Sequence, residues 1–321
     1  AFARKYRPQR FAEVLGQDHV TKALRSAFSA EQIKHHAFLF TGTRGVGKTT
    51  LARICAKLAN CSQKTTSGEP CLVCNSCLEI DRSSSMNYVE MDGASNNGIE
   101  QIRQLIDATQ YMPIDAPKKI YVIDEVHMLS QSAFNGLLKT LEEPPAHVVF
   151  IFATTEVHKI PDTILSRCMR FDLRPLSTEL IQQHLKKVLN DEKIQVDQAS
   201  TLRSIAHCAR GSVRDGLNLL EQVLALSDDK KLTDQLVSQS LGRLQNSHVQ
   251  KLVNSILNED NNGLSAQFQE LLEMNVDLET LCLQLHEEFY LRLQNHITKI
   301  ETTYPLEEMF WIFEQMTKDF Q

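Results

Sequence analysis

The sequence predicts an α/β fold: a parallel sheet covered by helices, interrupted by one cysteine-rich insertion and followed by helices alone. Three observations carry this reading. Over the first 175 residues, short apolar β-rich runs alternate with stretches of helical spacing, the pattern that closes helices over both faces of a parallel sheet. The first run leads straight into Gly42-Thr43-Arg44-Gly45-Val46-Gly47-Lys48-Thr49, a glycine-rich turn that opens a helix. After Pro175 the apolar residues recur only at intervals of three and four, which is helical periodicity.

The first strand is expected at 37–41, where Ala37-Phe38-Leu39-Phe40 is uninterrupted and apolar. Residues 42–49 form a complete G-x-x-x-x-G-K-T phosphate-binding loop. Its glycines allow a tight turn whose backbone N–H groups, with those of Thr43, Arg44 and Val46, face phosphate oxygens. The following helix, from Thr50-Leu51-Ala52-Arg53-Ile54 onward, adds its positive N-terminal end. Lys48 would reach the β- and γ-phosphates, and the Thr49 hydroxyl would ligate Mg²⁺. A chance glycine-rich turn is the bland alternative, and the strand–loop–helix context argues against it. The chain is therefore expected to bind a nucleoside triphosphate.

Four cysteines follow in one stretch, Cys61, Cys71, Cys74 and Cys77, the last three as C-x-x-C-x-x-C. Four thiolates in a compact, turn-rich segment suit a tetrahedral, structural Zn²⁺ with no open position. Disulfides are the alternative, disfavoured in a reducing compartment. A buried helical face is another, but it leaves Cys61 and Cys71 unexplained. Cys55, Cys208 and Cys282 lie in amphipathic helical patterns and read as packing residues.

Further strands are expected at 87–91, 119–123, 147–154 and 169–173. The run Lys119-Ile120-Tyr121-Val122-Ile123 ends in Asp124-Glu125, which places two carboxylates at the carboxyl end of a central strand, where such sheets bind ligands. Asp124 would hold Mg²⁺ and Glu125 would polarise an attacking water, which favours hydrolysis over mere binding. Thr154-Thr155 ends another strand. Thr155 either reaches a γ-phosphate or the attacking water, or simply caps or turns the chain, and the residues alone leave these open. Beyond Pro175, residues 178–190, 198–208, 213–226 and 233–241 read as helices without strands. Arg214 falls in a helix's first turn, where the dipole disfavours a cation and a bound anion would offset that cost. From 243 onward Leu252, Ile256, Phe268, Leu271, Leu272, Leu281, Leu285 and Phe289 continue the helical pattern as apolar positions.

Composition bounds the rest. A length of 321 residues suggests two or three domains at roughly 100–200 residues each. No apolar stretch approaches the ~20 residues of a membrane span, so no membrane partner and a cytoplasmic location are expected. A net charge of −6 shows no basic footprint of the kind nucleic-acid binding leaves.

Taken together these residues resemble the ATPase subunits of the bacterial DNA polymerase III clamp loader, the gamma/tau proteins of the AAA+ family. The likeness runs through Lys5-Tyr6-Arg7-Pro8, Gly16-Gln17, the loop at 42–49, the four-cysteine insertion and Asp124-Glu125-Val126-His127-Met128-Leu129. It continues through Leu138-Lys139-Thr140-Leu141-Glu142-Glu143-Pro144-Pro145, Ala153-Thr154-Thr155 and Ser166-Arg167-Cys168, and becomes diffuse after residue 242. It implies an AAA+ P-loop NTPase domain at 1–176 with a zinc module at 60–79. A small all-α lid at 177–242 and a truncated helical collar at 243–321 would follow. It further implies that Thr155 is a first sensor, Arg214 a second, and Arg167 an arginine finger acting on a neighbour's ATP. On the residues alone, Arg167 reads better as a structural ion pair. Lys5 to Pro8 and Gly16-Gln17 would lie near the adenine.

The implied activity is ATP hydrolysis that loads a sliding clamp onto primer–template DNA at replication forks. The implied partners are delta, delta-prime and further gamma/tau copies in a hetero-pentamer. Two rival readings are a non-hydrolysing delta-prime-like subunit, whose kind has a degraded phosphate loop, and a different AAA+ DNA-remodelling ATPase. Ala1 in place of Met, and an end at Gln321 without a tau-like tail, give the chain the look of a fragment.

Overall fold

Five strands form one sheet: β1 (Ala37–Thr41), β2 (Tyr88–Asp92), β3 (Lys119–Asp124), β4 (Val148–Thr154) and β5 (Met169–Asp172). Their order is β2-β3-β4-β1-β5, and every neighbouring pair is parallel. Each strand begins and ends within one residue of the sequence expectation. The computed structural model describes residues 1–30, 33–227, 231–273, 277–298 and 305–319.

The central strands are apolar without alternation because both of their faces are covered. Phe38, Phe40, Ile120, Val122, Val149 and Ile151 point into one core with helices Asp18–Ser29 and Lys48–Asn60. Leu39, Tyr121, Ile123, Phe150 and Phe152 point into the other, against helices Ile99–Thr109 and Gln131–Glu142. Phe38, Phe40, Phe150 and Phe152 are fully buried, and each such side chain stabilises the sheet by about 1.5–3 kcal/mol. Parallel strands put all carboxyl ends on one edge, so Thr41, Asp92, Asp124 and Thr154 finish at the edge where such sheets carry their sites.

The chain divides into two compact units, Ala1–His184 with Ala206–Asn218, and Leu185–Ile205 with Leu219–Gln321. Beyond the sheet the helices run Thr178–Asp191, Ala199–Cys208, Val213–Leu224 and Asp234–Leu241, close to their expected bounds. The second unit also holds a parallel pair, β6 (Gln195–Val196) with β7 (Lys231–Leu232), where no strand was expected. Two residues per strand are too few to show an alternating pattern.

Further along lie helices Asn246–Leu257, Asn261–Glu273, Leu278–Ile297 and Leu306–Asp319. Leu252, Leu271 and Leu281 share one small core with Leu285 packed against it; Phe289 anchors another, with Ile256 and Leu285 against it. Phe268 and Cys282 are exposed instead, since their helices pack on one side only; the side chain of Leu272 lies outside those described. Among the described residues no helix is long and apolar enough to cross a membrane.

Candidate nucleotide site and cysteine cluster

The glycine loop takes the shape its sequence permits. Gly47 caps helix Lys48–Asn60 with φ at 113°, a left-handed conformation that other residues rarely adopt. Gly45 has φ at 74°, and a Cβ added there would sit 2.0 Å from Ser212 Oγ. Ser212 in turn accepts the Asp215 N–H at 3.1 Å, capping the helix that carries Arg214. Lys48 is buried, and its ammonium donates to the carbonyls of Gly42 at 2.9 Å and Thr43 at 3.0 Å. Burial lowers its pKa, while the neighbouring Glu125 and Asp124 carboxylates pull the other way.

Opposite the loop, β3 delivers its two carboxylates. The Thr49 hydroxyl donates to Asp124 Oδ2 at 2.8 Å, so hydroxyl and carboxylate converge as a shared hard cation requires. Glu125 adopts φ 47°, uncommon for a residue with a Cβ, and this turns its side chain away from the strand. Its Oε2 accepts both the hydroxyl and the N–H of Thr155, at 3.0 and 3.3 Å. His127 completes the cluster: its Nδ1 lies 3.0 Å from Thr154 Oγ1 and 3.4 Å from Glu125 Oε2, and its Nε2 lies 3.3 Å from Glu156 Oε1.

A cavity of about 550 Å³ opens along this edge, within the range of small-molecule sites. Arg44, Gly45, Val46, Gly47, Lys48, Thr49, Asp124, Glu125 and Arg214 line it, together with Tyr6, Arg7, Pro8, Glu13, Val14 and Leu15. The Arg7 guanidinium is pushed down by burial and then by the nearby Arg53, which favours an anionic occupant. Gly42, Thr43, Thr155 and Arg167 do not line the cavity, although the first three touch residues that do. Arg167 pairs with Glu142 and donates to the Thr163 carbonyl at 2.6 Å, which is the ion pair the residues alone suggested.

His127, Asp92, His184 and Leu217 also border the site, although no motif in the sequence assigns them a part. His127 had one signal, its place two residues after Glu125. The others come close only through the fold.

The four cysteine sulfurs Cys61, Cys71, Cys74 and Cys77 lie within 4.8 Å of one another, and none is in a disulfide. A tetrahedral zinc with Zn–S of about 2.3 Å has S···S edges of about 3.8 Å, so the set fits that ion. Backbone N–H groups of Cys71, Val73 and Cys74 donate to sulfur at 3.3–3.4 Å, as in a turn wrapped around thiolates. Leu72 holds φ 66° between them, a strained conformation that this turn imposes. Elsewhere Cys55 is fully buried, which raises its thiol pKa, and burial pushes Cys168 up to about 12, so both pack as inert groups.

Sheet order, phosphate loop and the following helices define a P-loop nucleotide-binding protein of the AAA+ class with a helical lid. Residues 16–177 match the family described as DNA polymerase III, delta subunit, and residues 180–229 match the DNA polymerase III clamp loader subunit, ATPase lid domain. The chain is 44% identical over 283 residues to the tau subunit of DNA polymerase III from Salmonella typhimurium. It is 42% identical over 308 residues to the gamma subunit from Buchnera aphidicola subsp. Acyrthosiphon pisum, covering 95% of this chain and 81% of that protein. The chain belongs to the gamma/tau family of DNA polymerase III subunits. It spans 44% of the Salmonella subunit's length, with 88% of the chain aligned. A solved structure of the Thermotoga maritima RuvB Holliday junction branch migration motor shares the fold at TM-score 0.55 and 18% identity, over 87% of this chain and 91% of that one.

Proposed function

We propose that the chain is an ATP-hydrolysing motor subunit of a clamp loader, using ATP binding and hydrolysis to place a sliding clamp on primer–template DNA. The observation that carries this is the convergence of Lys48, Thr49, Asp124, Glu125 and Arg214 on one cavity. Backbone N–H groups of 42–49 and the Lys48 ammonium hold the β- and γ-phosphates. Thr49 and Asp124 would hold Mg²⁺, which supplies positive charge for the phosphate oxygens. Glu125 orients and deprotonates the attacking water, with Thr155 holding its carboxylate, and Arg214 reads the γ-phosphate from the lid. Arg167 serves the ATP of an adjoining subunit. Cys61, Cys71, Cys74 and Cys77 would hold a structural Zn²⁺.

In this reading residues 1–176 are the motor domain, 177–242 the lid and 243–321 a collar that meets delta, delta-prime and further gamma/tau copies in a hetero-pentamer. The subunit works in the cytoplasm at replication forks. ATP is the switch between assembled and relaxed states. A non-hydrolysing role is disfavoured by the complete phosphate loop and the presence of Glu125. A four-way-junction role has only the fold likeness behind it. ATP turnover measured alone, then with the other subunits, clamp and primed DNA, tests the proposal: it should be slow alone and rise in the full mixture. Turnover unchanged by clamp and primed DNA, or stimulated by four-way junctions instead, overturns it.

A further inference from the structure

Glu69 belongs to the loop between Cys61 and Cys71, yet it is buried, 5% exposed. Its Oε2 accepts the Phe11 N–H at 2.8 Å, and its Oε1 accepts the Ala12 N–H at 3.0 Å. Oε1 also pairs with the Arg25 guanidinium at 2.6 Å. Phe11 and Ala12 open the short 3-10 turn Phe11–Glu13, whose first N–H groups have no partner within the turn. The carboxylate of Glu69 is therefore the cap of that turn. A second tie runs beside it: the buried Lys57 ammonium bridges the Asp81 carboxylate, at the end of helix Asn75–Asp81, and the Gln9 side-chain carbonyl. The loop between Cys61 and Cys71 thus holds Phe11 and Ala12 directly through Glu69, while Gln9 is held by Lys57 of helix Lys48–Asn60, which Asp81 pairs in turn.

Both flanks of the held segment belong to the cavity. Tyr6, Arg7 and Pro8 precede it, Glu13, Val14 and Leu15 follow it, and all six are cavity lining. The phosphate loop serves the phosphates, so the remaining lining, with its apolar Pro8, Val14 and Leu15, is left for base and sugar.

We infer that Glu69 is a positioning residue for nucleotide binding: from the cysteine insertion it fixes Phe11 and Ala12, and through them the base-and-sugar part of the cavity. The inference rests on the ATP site proposed above. A buried carboxylate that accepts two backbone N–H groups and one guanidinium is a strong, charge-assisted anchor. Removing it leaves the buried Phe11 N–H unpaired, which is costly, and releases the Ala12 N–H and the Arg25 guanidinium as well.

The test uses the whole chain, a fluorescent ATP analogue and amide hydrogen exchange. Glu69→Ala should raise the Kd for the analogue about tenfold and speed exchange at residues 6–15, while helix Lys48–Asn60 keeps its protection. Glu69→Gln is isosteric and keeps one acceptor, but turns an N–H donor toward a second N–H. It should raise Kd by about threefold, and it decides the matter if the alanine variant fails to fold. Wild-type affinity in Glu69→Gln overturns the inference, as does equal loss of protection in 6–15 and 48–60. A wild-type chain that bound no ATP would instead overturn the proposed site itself, so the two failures are told apart.

Discussion

Thr155 donates its hydroxyl to Oε2 of Glu125 at 3.0 Å, and its own N–H points to the same oxygen at 3.3 Å. The end of β4 therefore holds the carboxylate that follows β3, with His127 beside it at 3.4 Å. A threonine at this strand end invites a direct phosphate contact. The geometry gives it a carboxylate to orient, with the cavity one residue further on. Thr155→Val removes the hydroxyl and keeps the shape. It should lower turnover by about tenfold to a hundredfold and leave ATP affinity nearly unchanged, whereas Thr155→Ser should stay close to wild type. Steady-state ATPase assays with parallel binding titrations decide this. A Val variant that lost affinity and kept its rate would remove Thr155 from this role.

Lys48 and Glu125 should separate binding from chemistry. Lys48 faces ground-state phosphates, so Lys48→Ala should abolish binding of a fluorescent ATP analogue. Glu125 acts as water attacks, so Glu125→Gln should bind normally and lose turnover by about 10²–10⁴-fold. Normal turnover in Glu125→Gln would mean that another group activates the water.

One zinc per chain is expected on Cys61, Cys71, Cys74 and Cys77, measurable by elemental analysis. Structural zinc sites in small peptides contribute about 10–16 kcal/mol of apparent binding energy, so extraction should loosen the insertion. Because Glu69 ties that insertion to Phe11 and Ala12, ATP affinity should fall while the phosphate loop stays folded. Zinc retained by a Cys74→Ser, Cys77→Ser double variant would count against the ligand set.

The centre of the sheet was legible because β1, β3 and β4 each hold an apolar run of four residues or more, whereas the edge strands β2 and β5 interleave apolar with charged residues. The phosphate loop and Asp124-Glu125 were legible because their parts are contiguous. What could not be read was contact between distant segments: Glu69 looks like a surface residue in a polar loop until Phe11 and Ala12 meet it. His127 likewise gains its neighbours Thr154 and Glu156 only when β4 lies beside β3. In the later helices Phe268 and Cys282 fit the period yet stay exposed, because period alone does not say how wide the packed stripe is.

Arg167 carries the last expectation, that it acts on a neighbour's ATP and not on its own. It follows the short helix Asp162–Leu165, lies outside the cavity lining of its own chain, and is paired with Glu142 on an exposed surface. Exposed ion pairs are worth only about 0–1 kcal/mol, so a phosphate presented by an adjoining subunit can draw the guanidinium away. An arginine supplied in trans is worth roughly 10³–10⁵ in rate. Arg167→Ala should therefore leave ATP affinity of the isolated chain unchanged and suppress DNA-stimulated hydrolysis in the assembly. Arg214→Ala, whose side chain lines its own cavity, should weaken binding directly. Glu142→Gln removes the charge paired with Arg167 and should not impair stimulated turnover. Mixing decides between the two placements: Arg167→Ala subunits combined with Lys48→Ala subunits recreate sites with an intact loop beside an intact neighbouring arginine. Activity should partly return. Confirmed mixed assemblies with no recovery would place Arg167 in its own chain's site, or reduce it to the ion pair with Glu142.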